Sequence, residues 1–148
     1  MSPPGPPPRG HPARGHPEGL PTLFIDRSLG RIKVPTLLRA AGLELVTLAE
    51  HYGVPADEDV EDVTWLEETA RLGWVALVKD ERIRRRPAEK AAIRRSSARC
   101  FYFTRGDLPG EIYAERILTN LAAITRACHD NGPFIHVLHP NRIERMVL

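Results

Sequence analysis

Only two cysteines, Cys100 and Cys128, occur in the 148 residues. Neither has the spacing of a zinc ligand set, and nothing around them points to an oxidising compartment that would favour a disulfide. No apolar run approaches the ~18 residues that a membrane span needs. The N-terminus lacks the apolar core of a secretory signal. No glycine-rich phosphate loop is present, which argues against nucleoside triphosphate use. Internal repeats are absent. The net charge is +2, too small to select a partner by itself. These absences leave a reduced, cytoplasmic protein with no membrane association, of one-domain length and large enough to bury a substantial core.

What the chain does have is segregated charge. Residues 57–68 hold Asp57, Glu58, Asp59, Glu61, Asp62, Glu67 and Glu68 with no lysine or arginine, whereas residues 79–99 hold nine basic residues against Asp80, Glu81 and Glu89. Two solvated faces would explain this. So would a cation-binding patch beside an anion-binding one.

Residues 1–21 contain eight of the fourteen prolines and little apolar material. Such a stretch reads as a disordered or polyproline-like tail, in which His11 and His16 are incidental. The remainder, 22–148, reads as one folded domain. "TLFID" is a buried strand, "VPTLLRAAGL" a helix stopped by Gly42, and "ELVTLA" a second strand. "HYGVPADEDVED" is a polar loop. Asp62 stands where an N-cap would, opening the amphipathic helix "VTWLEETARLG" that Gly73 closes. "WVALV" is the third strand, "RPAEKAAIRRS" a helix and "ARCFYFT" the fourth strand. The turn "RGDLPG" follows, then one long helix from about Glu111 to His129. "PFIHVLH" is a fifth strand, placed at an edge because Pro133 suits a strand start. This alternation predicts an α/β fold: a three-layer α/β/α sandwich around a mostly parallel sheet of four to five strands.

Ligands of an open parallel sheet bind beyond the carboxyl ends of its strands. Asp26 ends the first strand, Asp80 the third, and Asp107 lies shortly after the fourth. Asp62 opens the helix that leads into the third. If strands one, three and four are neighbours, these carboxylates converge, and only a cation or a raised pKa makes that tolerable. Oxygen ligands suit Mg²⁺, with Mn²⁺ as a substitute. Arg82, Arg84, Arg85 and Arg86 would then hold a nucleic-acid backbone. Plainer readings exist for each acid. Asp62 could be an N-cap, and Asp107 could start a turn. Asp26 could pair with Arg27 or Arg31, and Asp80 with Arg82 or Arg84. Asp57, Glu58, Asp59 and Glu61 read as solvated loop acids, any one of which could replace Asp62. Ser28 reads as a local backbone cap whose hydroxyl could also bond a carboxylate or a phosphate. Trp65 and Trp74 read as core. His51 and Tyr52, after the second strand, could touch substrate. His136 and His139 show no metal spacing.

"FIDRSLGRIKVPTLLRAAGLEL", "DVTWLEETARLGWVALVKDERIRRRPAE" and "CFYFTRGDLPGE" together resemble PIN-like ribonuclease domains, and among these the VapC-type toxins of toxin–antitoxin modules. The resemblance covers about residues 22 to 140, and the "VKD" step followed by arginines is its most specific part. It implies that Asp26, Asp62, Asp80 and Asp107 form an acidic Mg²⁺ site. It further implies endoribonuclease activity, a cognate antitoxin and a possible homodimer. The family's mid-chain acid is often a Glu within a helix, whereas here an Asp at a helix start is the best match. Two other classes compete: a non-catalytic RNA- or partner-binding module with a degenerate acidic site, and a phospho-acceptor domain. The last fits less well, because the first strand ends in one acid and Lys79 lies on the wrong strand.

Overall fold

All three residues of the first strand are buried. In the computed structural model, which describes residues 15–79, 85–103 and 107–148, β1 spans Leu23–Ile25. β3 (Val75–Val78) and β4 (Arg99–Phe103) are similarly enclosed, as expected for strands covered on both faces. Alternation sends Leu23, Ile25, Leu77, Phe101 and Phe103 into one core and Phe24, Ala76, Val78, Cys100 and Tyr102 into the other. The first core is closed by α1 (Lys33–Ala40), α5 (Gly110–Thr119) and α6 (Leu121–Ala127). The second is closed by α2 (Leu48–Tyr52), α3 (Asp62–Leu72) and α4 (Pro87–Ser96). The three-layer architecture is therefore present.

With β2 (Leu45–Thr47), β5 (Phe134–Leu138) and β6 (Ile143–Met146), the sheet has six strands in the order β2-β1-β3-β4-β5-β6. All pairings are parallel except β5 with β6. β5 is thus internal, and the edge belongs to β6. "IERM" carries no apolar run, because an edge strand with one half-covered face needs none. It is placed by pairing with β5 and by the His139 N–H to Arg142 carbonyl bond (2.8 Å).

Two helices also differ from the sequence pattern. The long one is broken at Asn120, a buried residue whose side-chain amide donates to the carbonyls of Arg116 and His139, each at 2.8 Å. That second bond ties the break to the chain after β5, a partner that local periodicity cannot reveal. The second strand ends early because Thr47 and Glu50 form a capping box, which starts α2 within the expected "ELVTLA" strand and extends it into the expected loop. Ala56–Asp59 form a 3-10 turn in that same loop. Glu61, not Asp62, occupies the N-cap of α3.

Residues 1–14 lie outside the described residues. Composition groups residues 15–20 with the tail, but their packing groups them with the domain. Leu20 is 6% exposed and sits in the first core. The His16 ring accepts from the Glu44 N–H (3.0 Å) and donates to the Leu20 carbonyl (2.7 Å). Gly42 adopts φ +92°, and a Cβ there would stand 2.7 Å from the Gly15 Cα, so this crossing requires glycine. Leu20→Ala should therefore lower unfolding free energy by about 2 kcal/mol or more. Urea denaturation at unchanged m-value checks this.

Candidate functional site

β2 lies on one side of β1 and β3 on the other. The chain thus changes direction at the carboxyl ends of β1 and β3, the crevice where doubly wound sheets bind ligands. Asp26 is the first residue past β1 and is 4% exposed. Its N–H continues the ladder onto the Leu77 carbonyl (3.1 Å). It then N-caps a 3-10 turn, Arg27–Leu29. Asp26 Oδ2 accepts from the Ser28 hydroxyl (2.7 Å) and the Ser28 N–H (3.2 Å). The same Ser28 oxygen accepts from the N–H of Lys79, at the exit of β3 (3.0 Å). Asp26 Oδ1 is buried and meets no hydrogen-bond donor among the described residues.

Burial raises the Asp26 pKa, the two Ser28 donors oppose that rise, and the Asp62 carboxylate adds to it. Asp26 and Asp62 are therefore close enough to repel. Asp62 is the first residue of α3 and half-buried, and its Oδ1 accepts from the Trp65 indole N–H (2.9 Å). Trp65 is fully buried and stacks on Phe24 of β1 with ring centroids 5.5 Å apart. The Arg27 backbone N–H also opposes the rise of the Asp26 pKa, but the Arg27 guanidinium does not pair with Asp26. It donates to the carbonyls of Glu58 (2.8 Å) and Val60, in the segment leading to α3.

Asp80, Arg82 and Arg84 lie outside the described residues. Asp107 is exposed, three residues ahead of α5. Arg85 and Arg86 are exposed, and Arg86 stands 3.7 Å from Glu89. Among the described residues, no group of three or more His, Cys, Asp or Glu could hold a metal ion. Of the three described acids in the set, Asp26 and Asp62 are the pair that interact, and Asp107 is exposed. An all-oxygen donor set with one buried, unsatisfied carboxylate oxygen fits a hard divalent cation, which would offset the cost of leaving that oxygen unpaired.

Several neighbours depart from the sequence reading. Asp57 is not a solvated loop acid: it is 5% exposed, with Oδ2 4.0 Å from Arg31. Glu58, Asp59 and Glu61 are exposed. His51 bonds Glu68 (3.3 Å), two turns along α3 from Asp62, and lies edge-on to Trp74. It therefore joins α2 to α3. Burial pushes the Cys100 thiol up to about 12 and Cys128 up to about 11, so neither is a nucleophile. Arg86, Lys90 and Arg94 recur every four residues along one flank of α4. Arg95, on another flank, reaches Glu67 of α3 (2.6 Å). Residue-level reading named Asp26 and allowed a bond from Ser28 to a carboxylate; the Ser28 bridge to the Lys79 N–H and the Arg27 strap are what it left unassigned. The +2 spacing of Ser28 was the available signal.

Residues 21–105, from ahead of β1 through β4, match a family model described as a PIN like domain. The chain belongs to the PIN-like domain family. It is 43% identical over 125 residues to "Putative ribonuclease VapC45" of Mycobacterium tuberculosis (strain ATCC 25618 / H37Rv), covering 84% of this chain and 91% of that protein. No solved structure matches significantly. The family match includes the positions of Asp26, Asp62 and Asp80; Asp107 falls just beyond it.

The raised Asp26 pKa has a consequence for stability. Its folded value lies above the unfolded one, near 3.8. The folded state therefore holds a proton that the unfolded state releases within that window. Stability from this group is greatest below the unfolded value and falls as pH rises through the folded one. Asp26→Asn should then melt higher than wild type at neutral pH in chelator, by about 2–4 °C per kcal/mol relieved. The difference should vanish near pH 3. Thermal melts across pH test this.

Proposed function

We propose that this PIN-like domain is a Mg²⁺-dependent endoribonuclease, with Mn²⁺ able to substitute, and the toxin of a type II toxin–antitoxin pair. The observation that carries the reading is the buried, unsatisfied Asp26 oxygen beside Asp62, at the switch point between β1 and β3. The VapC45 name of the relative supports the same reading. Asp26, Asp62, Asp80 and Asp107 would hold the cation. When bound, it supplies charge neutralisation and a water acidic enough to attack near neutral pH. The carboxylates orient that water for in-line attack on phosphorus, and one P–O bond of the phosphodiester breaks. Arg82, Arg84, Arg85 and Arg86 grip the phosphates. Lys90 and Arg94 continue that run along α4, so that the RNA backbone follows this helix. A cognate antitoxin covers the site in the cytoplasm, and a homodimer is the assembly that the resemblance implies.

The decisive experiment follows cleavage of total RNA by wild type, Asp26→Asn and Asp80→Asn in Mg²⁺, in Mn²⁺ and in chelator. Loss of outer-shell partners costs metal sites about 10–100-fold, so losing a direct ligand should cost at least about 100-fold. Cleavage that survives in both variants and in chelator defeats the assignment. RNA binding without any metal-dependent turnover would move the protein to the non-catalytic class. In metal-free buffer, Lys90→Gln/Arg94→Gln should bind single-stranded RNA with a log–log salt slope shallower by about 1.4, given ~0.7 per lost phosphate contact.

A further inference from the structure

The turn after Asp26 makes bonds that local capping does not require. Ser28 uses its hydroxyl twice: its one hydrogen goes to Asp26 Oδ2 (2.7 Å), and its oxygen receives the Lys79 N–H (3.0 Å). A free carboxylate presents two equivalent oxygens. Here Ser28 occupies Oδ2, so Oδ1 is the oxygen left without a donor. The residue after Lys79 is Asp80. One hydroxyl therefore fixes the orientation of the first acid and the strand end from which the third departs.

Arg27 acts in the other direction. Both partners of its guanidinium are backbone carbonyls, Glu58 and Val60, just ahead of Asp62. A planar fork can bond two carbonyls at once, which a lysine ammonium cannot match in geometry. In the segment it holds, Val60 packs against the second core, whereas Glu58, Asp59 and Glu61 are exposed.

We propose that the Arg27–Ser28 turn is the positioning device of the acidic site. Ser28 selects the oxygen of Asp26 that faces the cation and ties it to the strand end carrying Asp80. Arg27 sets how far Asp62 stands from Asp26. Neither residue touches the cation or the RNA. This inference rests on the metal-dependent reading above, and its test separates the two.

Mn²⁺ is titrated by calorimetry into wild type, Ser28→Ala, Ser28→Cys, Ser28→Thr, Arg27→Lys and Asp26→Asn, with amide NMR spectra of each. Ser28→Ala and Ser28→Cys should weaken Mn²⁺ binding about 10–100-fold and move the Lys79 amide resonance. Ser28→Thr keeps the hydroxyl and should stay within a few-fold of wild type. Arg27→Lys should also weaken binding, with faster amide exchange over residues 58–62 and an unmoved Lys79 amide. The cysteine variant preserves side-chain size, so it decides the matter if Ser28→Ala fails to fold. Wild-type affinity in Ser28→Cys and Arg27→Lys, with binding lost in Asp26→Asn, overturns the positioning role and keeps the metal site. Absence of Mn²⁺ binding in wild type overturns the metal-dependent reading itself, and the positioning role falls with it.

Discussion

The parallel pairing of β1 with β3 is the constraint on which the site depends. Three residue pairs carry it, Leu23 with Val75, Phe24 with Ala76 and Ile25 with Leu77. All six side chains are buried. Burial of roughly 1.5–3 kcal/mol per large apolar side chain holds so short a pairing, and the two flanking cores fix its register, since a one-residue slip would exchange every side chain between them. The Asp26 N–H then adds one more bond, onto Leu77. Asp26 is consequently delivered at the level where β3 ends. No feature of residues 22–26 alone could place it there.

That position is electrostatically unfavourable, and the chain spends little on correcting it. Ser28 satisfies one Asp26 oxygen, while the other stays buried and unmatched beside the Asp62 charge. Many other carboxylates are paired: Glu50 with Arg39, Glu67 with Arg95, Glu68 with Arg71 and His51, Asp130 with Arg145. Asp57 Oδ1 and Glu89 Oε2 are also buried without a hydrogen-bond partner among the described residues, but each of those carboxylates faces an arginine, Arg31 at 4.0 Å and Arg86 at 3.7 Å. Arginines are plentiful in this chain, and Arg27 stands next to Asp26 yet turns away to two carbonyls. A neighbouring cation withheld from a buried acid is the pattern of a site kept for function at some expense of stability.

The sequence made legible whatever is encoded locally. Apolar runs at β1, β3 and β4 have one reading in any α/β chain, and Gly42 and Gly73 stop helices through positive φ. The strand-ending position of Asp26 follows from the same runs. Illegible features are those whose partner is distant in the chain. Asn120 breaks its helix for the carbonyl of His139, β6 forms only against β5, and Leu20 fills a core built by later segments. Asp57 looked like its exposed neighbours because composition says nothing about which side of a turn faces inward. The capping box at Thr47 is a different case, since its spacing was readable and was masked by the apolar run it interrupts. The candidate site divides the same way. The acids showed as residue types, whereas the Ser28 bridge spans 51 residues and the Arg27 strap more than thirty.

Two devices of unlike physical character locate Asp62. One is apolar: Trp65, fully buried, stacks on Phe24 two residues before Asp26 and holds the Asp62 carboxylate through its indole N–H. Displacing it would open a cavity in the second core, so it resists change. The other is polar: Arg27 is exposed, and its bonds exchange with water at small net cost. The stiff device sets where the start of α3 lies over the sheet, and the soft one sets the path of the segment entering it. On the proposed role of Arg27, the distance between the two carboxylates, and with it their mutual repulsion, is adjusted more readily through Arg27 than through Trp65, since Val60 is only partly buried against the second core.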